Sequence, residues 1–520
     1  MGPLWTGLLC VIVAFCCWFF GQRAWRFSLF KRLGIPGPQP SFIYGNLGEL
    51  LGKGMAGAFD DWITKYGDVV GYFHGSIPAV LTSDPEMIKQ VFVKDGKTIT
   101  GRQVFTYVTK PLLLNKVRLT RVFGQEWKEL RGLISPTFKG SYMKQAVLIM
   151  KDRTKLFSEM IEAASRKQGG VVNMHDHVLR LAMDVAMGVF HGSRTEVQRR
   201  DEAACKLLLK CRQCTGMFGE TKMVLINSIS ELPFLFKPLL KYGLSRGVPM
   251  DTVLAYFGPF FEKRRQMDGA KKADLLQTLL NAESEESPRI NFQPDNNNNC
   301  GKKKVHLTCR TRTLANGTLF IIAAIDAVAT PLTFATYLLA MHQDVQDRLR
   351  EEVRKAVQKD GEITYDNICG MEYLGQVISE TLRMYPSLHG FVQRACDDDY
   401  EYKGKVFPKD TVIGVPVLRM HYDSRFWDEP EKFDPDRFSS ENRPHINPMA
   451  YLPFGAGPRN CIASRYSELL MRVTLATLVS THKVLPSESE PKTTGSFRAS
   501  FILLVPDKGM WLRTEKLSPP

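Results

Sequence analysis

A single cysteine near the C-terminus lies in a stretch that restricts the local fold more tightly than any other part of the chain. Residues 451–466 read YLPFGAGPRNCIASRY. Gly455 and Gly457 permit backbone angles that other residues disfavour, so the chain can turn tightly here beneath a flat ligand. An apolar, helix-like run follows Cys461, and the first amides of such a helix would stabilise a thiolate. With Phe454 shielding the sulfur, the stretch predicts a buried thiolate with one open side, as an axial ligand to haem iron requires.

Composition limits the class of protein. The chain has 520 residues, enough for one large domain or two to three ordinary ones, and 44% are hydrophobic, enough for a large core. The net charge is +15, but the basic residues are scattered without an aromatic-basic stripe, so we expect no nucleic-acid binding. A basic face also suits an anionic membrane or an acidic partner protein. The eleven cysteines do not resemble a secreted disulfide framework.

The N-terminus predicts a membrane anchor. Residues 3–20 carry no charge, and this length just suffices to cross a bilayer. No basic residue precedes the run and no small-residue cleavage site ends it, unlike a cleaved signal peptide. The positive flank that follows predicts a cytosolic body. We therefore expect a transmembrane signal-anchor over 1–22 and a basic flank with a Pro/Gly hinge over 23–40. The alternative is an apolar tail packed on the core.

The remainder, residues 41–520, is predicted to be one domain of mainly α class with small β-sheets (α+β). Short alternating runs predict strands around 66–83, and long helical patterns dominate from about 125 to 390. A strand-rich, proline-punctuated stretch follows. Residues 283–312 are charged and Asn-rich, which predicts a disordered surface insertion, with a second domain boundary as the rival interpretation.

The segment 318–343 is almost wholly apolar and could be mistaken for a second membrane span. Asp326 and several threonines lie in its middle. Because a carboxylate in lipid is costly, we predict a buried core helix instead.

The stretch FGAGPRNCIA resembles the haem-binding signature of the cytochrome P450 family, F-x-x-G-x-R-x-C-x-G. It matches at Phe454, Gly457, Arg459 and Cys461, and departs at the last position, where Ala463 replaces glycine. The resemblance covers nearly the whole chain, from the anchor to about residue 510. It implies the cytochrome P450 fold, haem b (iron protoporphyrin IX) as cofactor, and Cys461 as the ligand of the iron.

Two further motifs resemble the same family in the same order. Glu380 and Arg383 match its ExxR motif, although a Glu/Arg pair at this spacing is by itself a common surface salt bridge. The segment FDPDRF contains Arg437, which would complete a buried Glu-Arg-Arg network with a structural role.

The resemblance also implies donors for the two haem propionates, which need several partners if buried. In WKELR, Trp127 and Arg131 lie four residues apart on one helical face, for which a plain amphipathic helix is the alternative. Arg394 and Arg459 are further candidates by position, and Arg102 is the least well aligned.

Within the family, the chain is most similar to one branch. The segments SDPEMIKQVFV (83–93), TFATYLLA (333–340) and ETLRMYP (380–386) resemble the vertebrate drug-oxidising P450s of the third family and thromboxane synthase. The long stretch at 283–312 also coincides with an extension in that synthase.

The chain departs from the family over the haem. The family's central helix usually carries A/G-G-x-D/E-T-T, and residues 323–328 read AAIDAV. Asp326 keeps the acid, but the threonine that helps deliver protons is Ala327, and Thr330 one turn on is an imperfect substitute. Pro331 cannot donate to the carbonyl of Ala327, so we expect that free carbonyl to hold a water.

Three functions of different class remain open from the sequence. The first is a monooxygenase that inserts one oxygen of O₂ into a lipophilic small molecule, with NADPH–cytochrome P450 reductase as partner and cytochrome b5 as an optional one. The second is an isomerase or lyase acting on a lipid peroxide, which needs no proton relay. The third is a haem-binding protein without catalysis. The resemblance implies the endoplasmic reticulum membrane with the catalytic domain in the cytosol, and a pocket lined from 103–118, 215–245, 321–327, 387–391 and 496–502.

Overall fold

The computed structural model of the chain describes residues 3–102, 117–216, 249–267, 274–286, 298–390, 392–487, 497–499, 503–506 and 508–517. Within these ranges the α-helices are α1 (Pro3–Phe27), α2 (Leu29–Arg32), α3 (Leu47–Tyr66), α4 (Pro85–Ile88), α5 (Gly124–Ile134), α6 (Gly140–Lys167), α7 (Met174–His191), α8 (Glu202–Gly216), α9 (Pro249–Arg265), α10 (Leu275–Glu286), α11 (Asn298–Met341), α12 (Gln343–Asp360), α13 (Tyr365–Gly370), α14 (Glu372–Met384), α15 (Val417–His421) and α16 (Ser464–Thr481).

The strands are short and form small sheets, as the sequence predicts for an α+β chain. They are β1 (Val69–His74), β2 (Ile77–Thr82), β3 (Val171–Asn173), β4 (Gln393–Ala395), β5 (Tyr400–Tyr402), β6 (Lys405–Phe407), β7 (Val412–Gly414), β8 (His482–Pro486), β9 (Phe497–Ala499), β10 (Leu504–Pro506) and β11 (Trp511–Lys516). One sheet has the order β1-β2-β7-β4, with β2 and β7 parallel and the other pairs antiparallel. The others are β3-β11-β8, β9-β10 and β5-β6.

Helix α11 runs through the core and confirms the predicted buried helix. Its most apolar part, Cys309–Met341, is 83% buried, and it packs against α7, α8, α14 and α16. The apolar part of α1, Gly7–Phe27, is only 6% buried. Both segments are long and apolar enough to span a bilayer, but of the two it is the α11 segment whose apolar surface is already covered by protein. Burial therefore separates a core helix from a candidate membrane span.

The predicted Pro/Gly hinge is not a free linker. Helix α1 continues through the first basic residues, and the buried Arg23 donates to the carbonyl of Ile43 at 2.7 Å. The amide of Gly71 in β1 donates to the carbonyl of Pro36 at 2.9 Å. A Cβ on Gly37 would lie 1.9 Å from the carbonyl oxygen of Gly71, so this glycine permits the close approach. The segment is extended as expected, but it is docked on the first sheet.

The expected disordered insertion at 283–312 is helical at both described ends. Helix α10 extends to Glu286 and α11 begins at Asn298, while residues 287–297 lie outside the described residues. The start of the buried face of α11 explains the difference, because Cys309, Thr313 and Asn316 are all buried at helical spacing. Both described ends of the stretch are therefore helical, and the disordered insertion over 283–312 stays a prediction.

Candidate functional site

The Cys461 segment forms a tight loop that leads into α16, as the sequence predicts. The amide of Cys461 donates to the carbonyl of Phe454 at 2.9 Å, and that of Asn460 to Gly457 at 3.0 Å. Helix α16 starts three residues after the cysteine. The Cys461 side chain is accessible, although burial raises the pKa of its thiol, so the sulfur borders an internal space. A hydrogen bond from the amide of Ala463 opposes that rise in pKa.

The two loop glycines are required by geometry. Gly455 and Gly457 have φ of +72° and +68°, in the left-handed region. A Cβ on Gly457 would lie 1.7 Å from the carbonyl oxygen of Phe92, which is inside van der Waals contact. The loop therefore packs backbone to backbone against the segment after α4, and this contact holds the cysteine in place.

Arg459 is buried beside Cys461 and ties the loop to the chain that precedes α5. Its guanidinium donates to the carbonyls of Thr100 at 2.7 Å and Leu119 at 2.8 Å, and also to that of Val122. Its cation lies 4.8 Å from the ring centre of Trp127 on α5. These contacts hold one positive charge in a fixed position at the edge of the loop.

Three more arginines converge on the same loop from different parts of the chain. Arg131 on α5 donates to the backbone and side-chain oxygens of Asn460 at 2.9 and 2.8 Å. Arg394 on β4 is buried and donates to the carbonyl of Ala456 at 2.8 Å. Arg102 donates to the carbonyl of Arg459 at 2.9 Å. The structure thus brings together all four arginines that the sequence selected.

These four cations repel one another in a buried setting. Burial first, and then repulsion by neighbouring arginines, lowers the pKa of Arg102 to about 10 and that of Arg459 to about 9. The same causes hold the pKa of Arg394 well below its usual value, and burial lowers that of Arg131. Guanidinium groups stay charged in proteins, so the cluster favours an anion that would relieve the repulsion.

The donor set fits haem with its two carboxylates. Trp127 Nε1 and Arg394 Nε are buried and have no acceptor among the described residues. Buried donors of this kind are rarely left unmatched. Together with the clustered arginines and the accessible thiol of Cys461, they suit a flat group that carries two propionates and an iron. The residues present therefore fit the cofactor, while each donor's assignment to a propionate remains a prediction.

The predicted Glu-Arg-Arg network is present and lies behind the loop. Arg383 binds both carboxylate oxygens of Glu380 at 2.7 and 2.9 Å, and both side chains are fully buried. Arg437 lies 3.4 Å from the same carboxylate, and the amide of Asp434 donates to it at 3.1 Å. Arg383 also donates to the carbonyl of His421 at 2.8 Å. The network joins α14, α15 and the segment before the loop.

His421 connects this network to the Cys461 loop, a role that the sequence did not suggest. Its Nδ1 lies 2.9 Å from the carbonyl of Arg383, and its Nε2 accepts from the amide of Leu452 at 2.9 Å. This pattern requires the neutral tautomer with the proton on Nδ1. Burial correspondingly lowers the pKa of His421 to about 3.

A short accessible strip marks the face of α11 that borders the internal space. Ala323 is exposed and Ala324 and Ala327 are half-buried on a helix that is otherwise mostly buried. Asp326 is buried and turned toward α8, where Arg212 Nε donates to its carboxylate at 3.0 Å. Burial raises the pKa of Asp326, and the Arg212 charge opposes the rise. No sequence signal pointed to Arg212.

The other predicted polar groups of α11 differ from expectation. Thr330 is fully buried, and its hydroxyl has no partner in the part of the chain that the structure describes. The carbonyl of Ala327 is not free to the extent predicted, because the Ser387 hydroxyl donates to it at 2.6 Å. The carbonyl thus has a side-chain donor that the sequence did not suggest, and a water on its second lone pair stays a prediction. Most of the pocket wall predicted from 103–118, 215–245 and 496–502 lies outside the described residues.

Comparison with known proteins agrees with this site. The family model described as cytochrome P450 matches residues 35–513. Similar proteins include cytochrome P450 3A9 of Rattus norvegicus, 32% identical over 90% of this chain and 89% of that protein. Cytochrome P450 3A13 of Mus musculus is 32% identical and cytochrome P450 3A29 of Sus scrofa 33% identical, each over 88% of this chain and 87% of its own length.

A mainly helical fold with a cysteine loop, a cation cluster and a buried Glu-Arg-Arg network defines a haem-thiolate protein. The chain belongs to the cytochrome P450 family, and its similarity to drug-oxidising members supports a haem b-dependent oxidoreductase of the monooxygenase type.

Proposed function

We propose that the chain inserts one oxygen atom of O₂ into a lipophilic small molecule, with electrons from NADPH supplied through NADPH–cytochrome P450 reductase. The observation that carries this proposal is the convergence of buried arginines and the Trp127 indole on the loop of Cys461. When bound, haem b supplies the oxygen activation and accepts the electrons. The protein supplies binding, orientation and proton handling.

Cys461 is the proposed ligand of the iron. Its sulfur accepts a hydrogen bond from the amide of Ala463, and Arg102 and Arg131 add favourable charge, all of which stabilise a thiolate against burial. Phe454 contributes a half-buried ring that packs against the main core, and its carbonyl accepts from the Cys461 amide. The backbone contacts fix the direction of the sulfur.

Trp127, Arg131, Arg394 and Arg459 are the proposed propionate partners, with Arg102 closing the cluster. Backbone carbonyls and a ring contact already hold these side chains in place, so the donors that lack an acceptor, Trp127 Nε1 and Arg394 Nε, need little reordering to bind a carboxylate. An anion here would also offset the mutual repulsion of the cations.

Asp326 and Thr330 are the proposed proton-handling residues on α11. Asp326 is held by Arg212 of α8, so it can take up and release a proton only as that ion pair loosens. Thr330 offers a buried hydroxyl one turn further along the helix.

The proposed location is the endoplasmic reticulum membrane, with residues 1–22 as anchor and the domain from residue 41 in the cytosol. The uncovered apolar face of α1 and the basic residues that follow it support this. Deleting residues 3–20 should leave a folded, haem-loaded protein that still partly associates with membranes. Full-length protein that is protease-protected in the vesicle lumen would contradict the topology.

A reconstitution with purified reductase tests the proposed function. The protein should consume NADPH and O₂ and convert some member of a lipophilic substrate panel to a product one oxygen heavier, with cytochrome b5 altering the rate at most. The same panel without NADPH should stay unchanged.

One observation favours a second candidate, a peroxide isomerase or lyase. Residue 327 carries no hydroxyl, and rearranging a peroxide needs no proton delivery during oxygen activation. Conversion of a lipid endoperoxide or hydroperoxide without NADPH or reductase would favour this candidate. A haem protein that does neither reaction would be a binding protein without catalysis.

A further inference from the structure

Helix α11 contains a proline one turn after the residue that lacks the family's hydroxyl. Pro331 lies within the continuous helix and has no amide hydrogen to donate to the carbonyl four residues earlier, that of Ala327. A partly buried carbonyl of this kind is costly if left without a donor. The Ser387 hydroxyl supplies the donor at 2.6 Å, from a segment 60 residues further along the chain.

Ser387 is itself held firmly. The amide of Leu504 in β10 donates to the Ser387 carbonyl at 3.1 Å, and the neighbouring Leu388 forms a β-bridge with Leu503. The residue follows α14, the helix that carries the fully buried Glu380–Arg383 pair. Ser387 keeps only 8% of its surface exposed. Its hydroxyl is therefore fixed between the central helix and a C-terminal strand.

The direction of this hydrogen bond decides what the hydroxyl can do. A serine hydroxyl has one hydrogen and two acceptor lone pairs. Because the hydrogen is committed to the carbonyl of Ala327, the oxygen offers lone pairs to any other neighbour. Ser387 is thus an acceptor beside residue 327, able to hold a water or another donor in place.

The other polar groups of this turn are less suited to that role. Asp326 is paired with Arg212 on α8, and Thr330 is wholly buried, whereas Ala327 is half-exposed on the accessible strip. Among the described residues, Ser387 donates the side-chain hydrogen bond that reaches residue 327.

We propose that Ser387 is a positioning residue of the distal side, which replaces both the amide missing at Pro331 and the hydroxyl missing at Ala327. It holds the helix turn through the Ala327 carbonyl and fixes a hydrogen-bond donor, such as a pocket water, through its free lone pairs. The role in fixing a donor rests on the proposed monooxygenase function, which needs controlled delivery of protons to the haem site.

Two variants of equal shape test the proposal in the haem-loaded, full-length protein. Ser387→Thr keeps the hydroxyl and Ser387→Val replaces it with a methyl group, so they differ in that group alone. Each is made in the native background and together with Pro331→Ala, which restores the backbone donor. The measurements are the thermal midpoint, the resting Soret spectrum, which reports the polarity of the distal pocket, and the ratio of product to hydrogen peroxide per NADPH with purified reductase.

In the native background, Ser387→Val should unfold a few degrees below Ser387→Thr, shift the Soret band and lower the product-to-peroxide ratio about tenfold. With Pro331→Ala the difference in midpoint should shrink, because the carbonyl has its amide partner again, while the differences in Soret band and product ratio persist.

Equal product ratios and equal spectra for the threonine and valine variants would overturn the acceptor role. If the difference in thermal midpoint between the two variants is the same with and without Pro331→Ala, Ser387 does not replace the missing amide. If the native protein oxidises no NADPH, the monooxygenase proposal fails, and the midpoints and Soret bands still decide the role of Ser387.

Discussion

The ring of His421 accepts a hydrogen bond from the amide of Leu452 while it faces the carbonyl of Arg383, so one neutral imidazole links the Glu-Arg-Arg network to the cysteine loop. Nδ1 carries the proton that faces the Arg383 carbonyl, and Nε2 offers the lone pair that accepts from the Leu452 amide, so the contact with Leu452 is lost if Nε2 takes up a proton. The geometry therefore connects protonation of one buried group to the support of the whole loop.

This relationship predicts acid sensitivity. Burial lowers the pKa of His421 to about 3, so below pH 6.5 the unfolded chain binds a proton that the folded protein excludes. Stability should therefore fall as pH decreases from about 6.5 toward about 3, by up to about 1.4 kcal/mol per pH unit for this group. His421→Gln keeps a donor and an acceptor but does not titrate, so its haem loss should depend less on pH. The exposed His445→Gln serves as the control and should behave like the native protein.

A second prediction concerns the buried network. Glu380→Ala strands two arginine charges, and such a loss costs about 3–5 kcal/mol in a buried pair. We expect insoluble, haem-free protein on expression. The matched control is Glu351→Ala, because Glu351 and Arg354 have the same spacing on exposed α12 and should be dispensable. Soluble, haem-loaded Glu380→Ala with a changed substrate preference would contradict the structural role.

The Arg212–Asp326 ion pair predicts a shift in pH dependence. Burial raises the pKa of Asp326 and Arg212 opposes that rise, so removing the guanidinium should raise the carboxyl pKa further. In the pH profile of NADPH-driven turnover, the apparent pKa that belongs to this carboxyl should therefore move to higher pH in Arg212→Ala. The exposed Arg199→Ala should leave the profile in place. An unshifted profile in Arg212→Ala would mean that Asp326 does not control the rate.

Residue 327 itself offers another test. Ala327→Thr restores the missing hydroxyl on a half-exposed position, where a larger side chain has some room. The fraction of NADPH that ends in product should rise, and hydrogen peroxide should fall. Ala327→Val adds the same bulk without the hydroxyl and separates packing from proton handling. A folded, haem-loaded threonine variant that is coupled no better than the valine variant would refute the relay.

Much of the fold and the proximal side follows from local sequence. The helix after Cys461, the glycine turn and the strands around 66–83 each depend on residues close together in the chain. The four arginines that the sequence selected lie around one loop, while their role as propionate partners stays a prediction.

The contacts that the sequence did not predict join residues far apart without a local pattern. Ser387 reaches Ala327 over 60 residues and Arg212 reaches Asp326 over 114. His421 and Leu452 are 31 residues apart. Such pairs depend on how helices and loops pack in three dimensions. The missing amide of Pro331 indicates that the Ala327 carbonyl needs a donor, but it does not indicate that Ser387 provides it.

The most direct test of the central claim is the absorption spectrum of the reduced, CO-bound protein with Cys461→Ser. Cysteine thiolate ligation gives a characteristic Soret band, and the variant should lose that band while the protein stays folded. Cys396→Ser, at a buried cysteine outside the loop, serves as the control and should keep it. Retention of the thiolate-type band in Cys461→Ser would show that another group holds the iron and would contradict this account of the site.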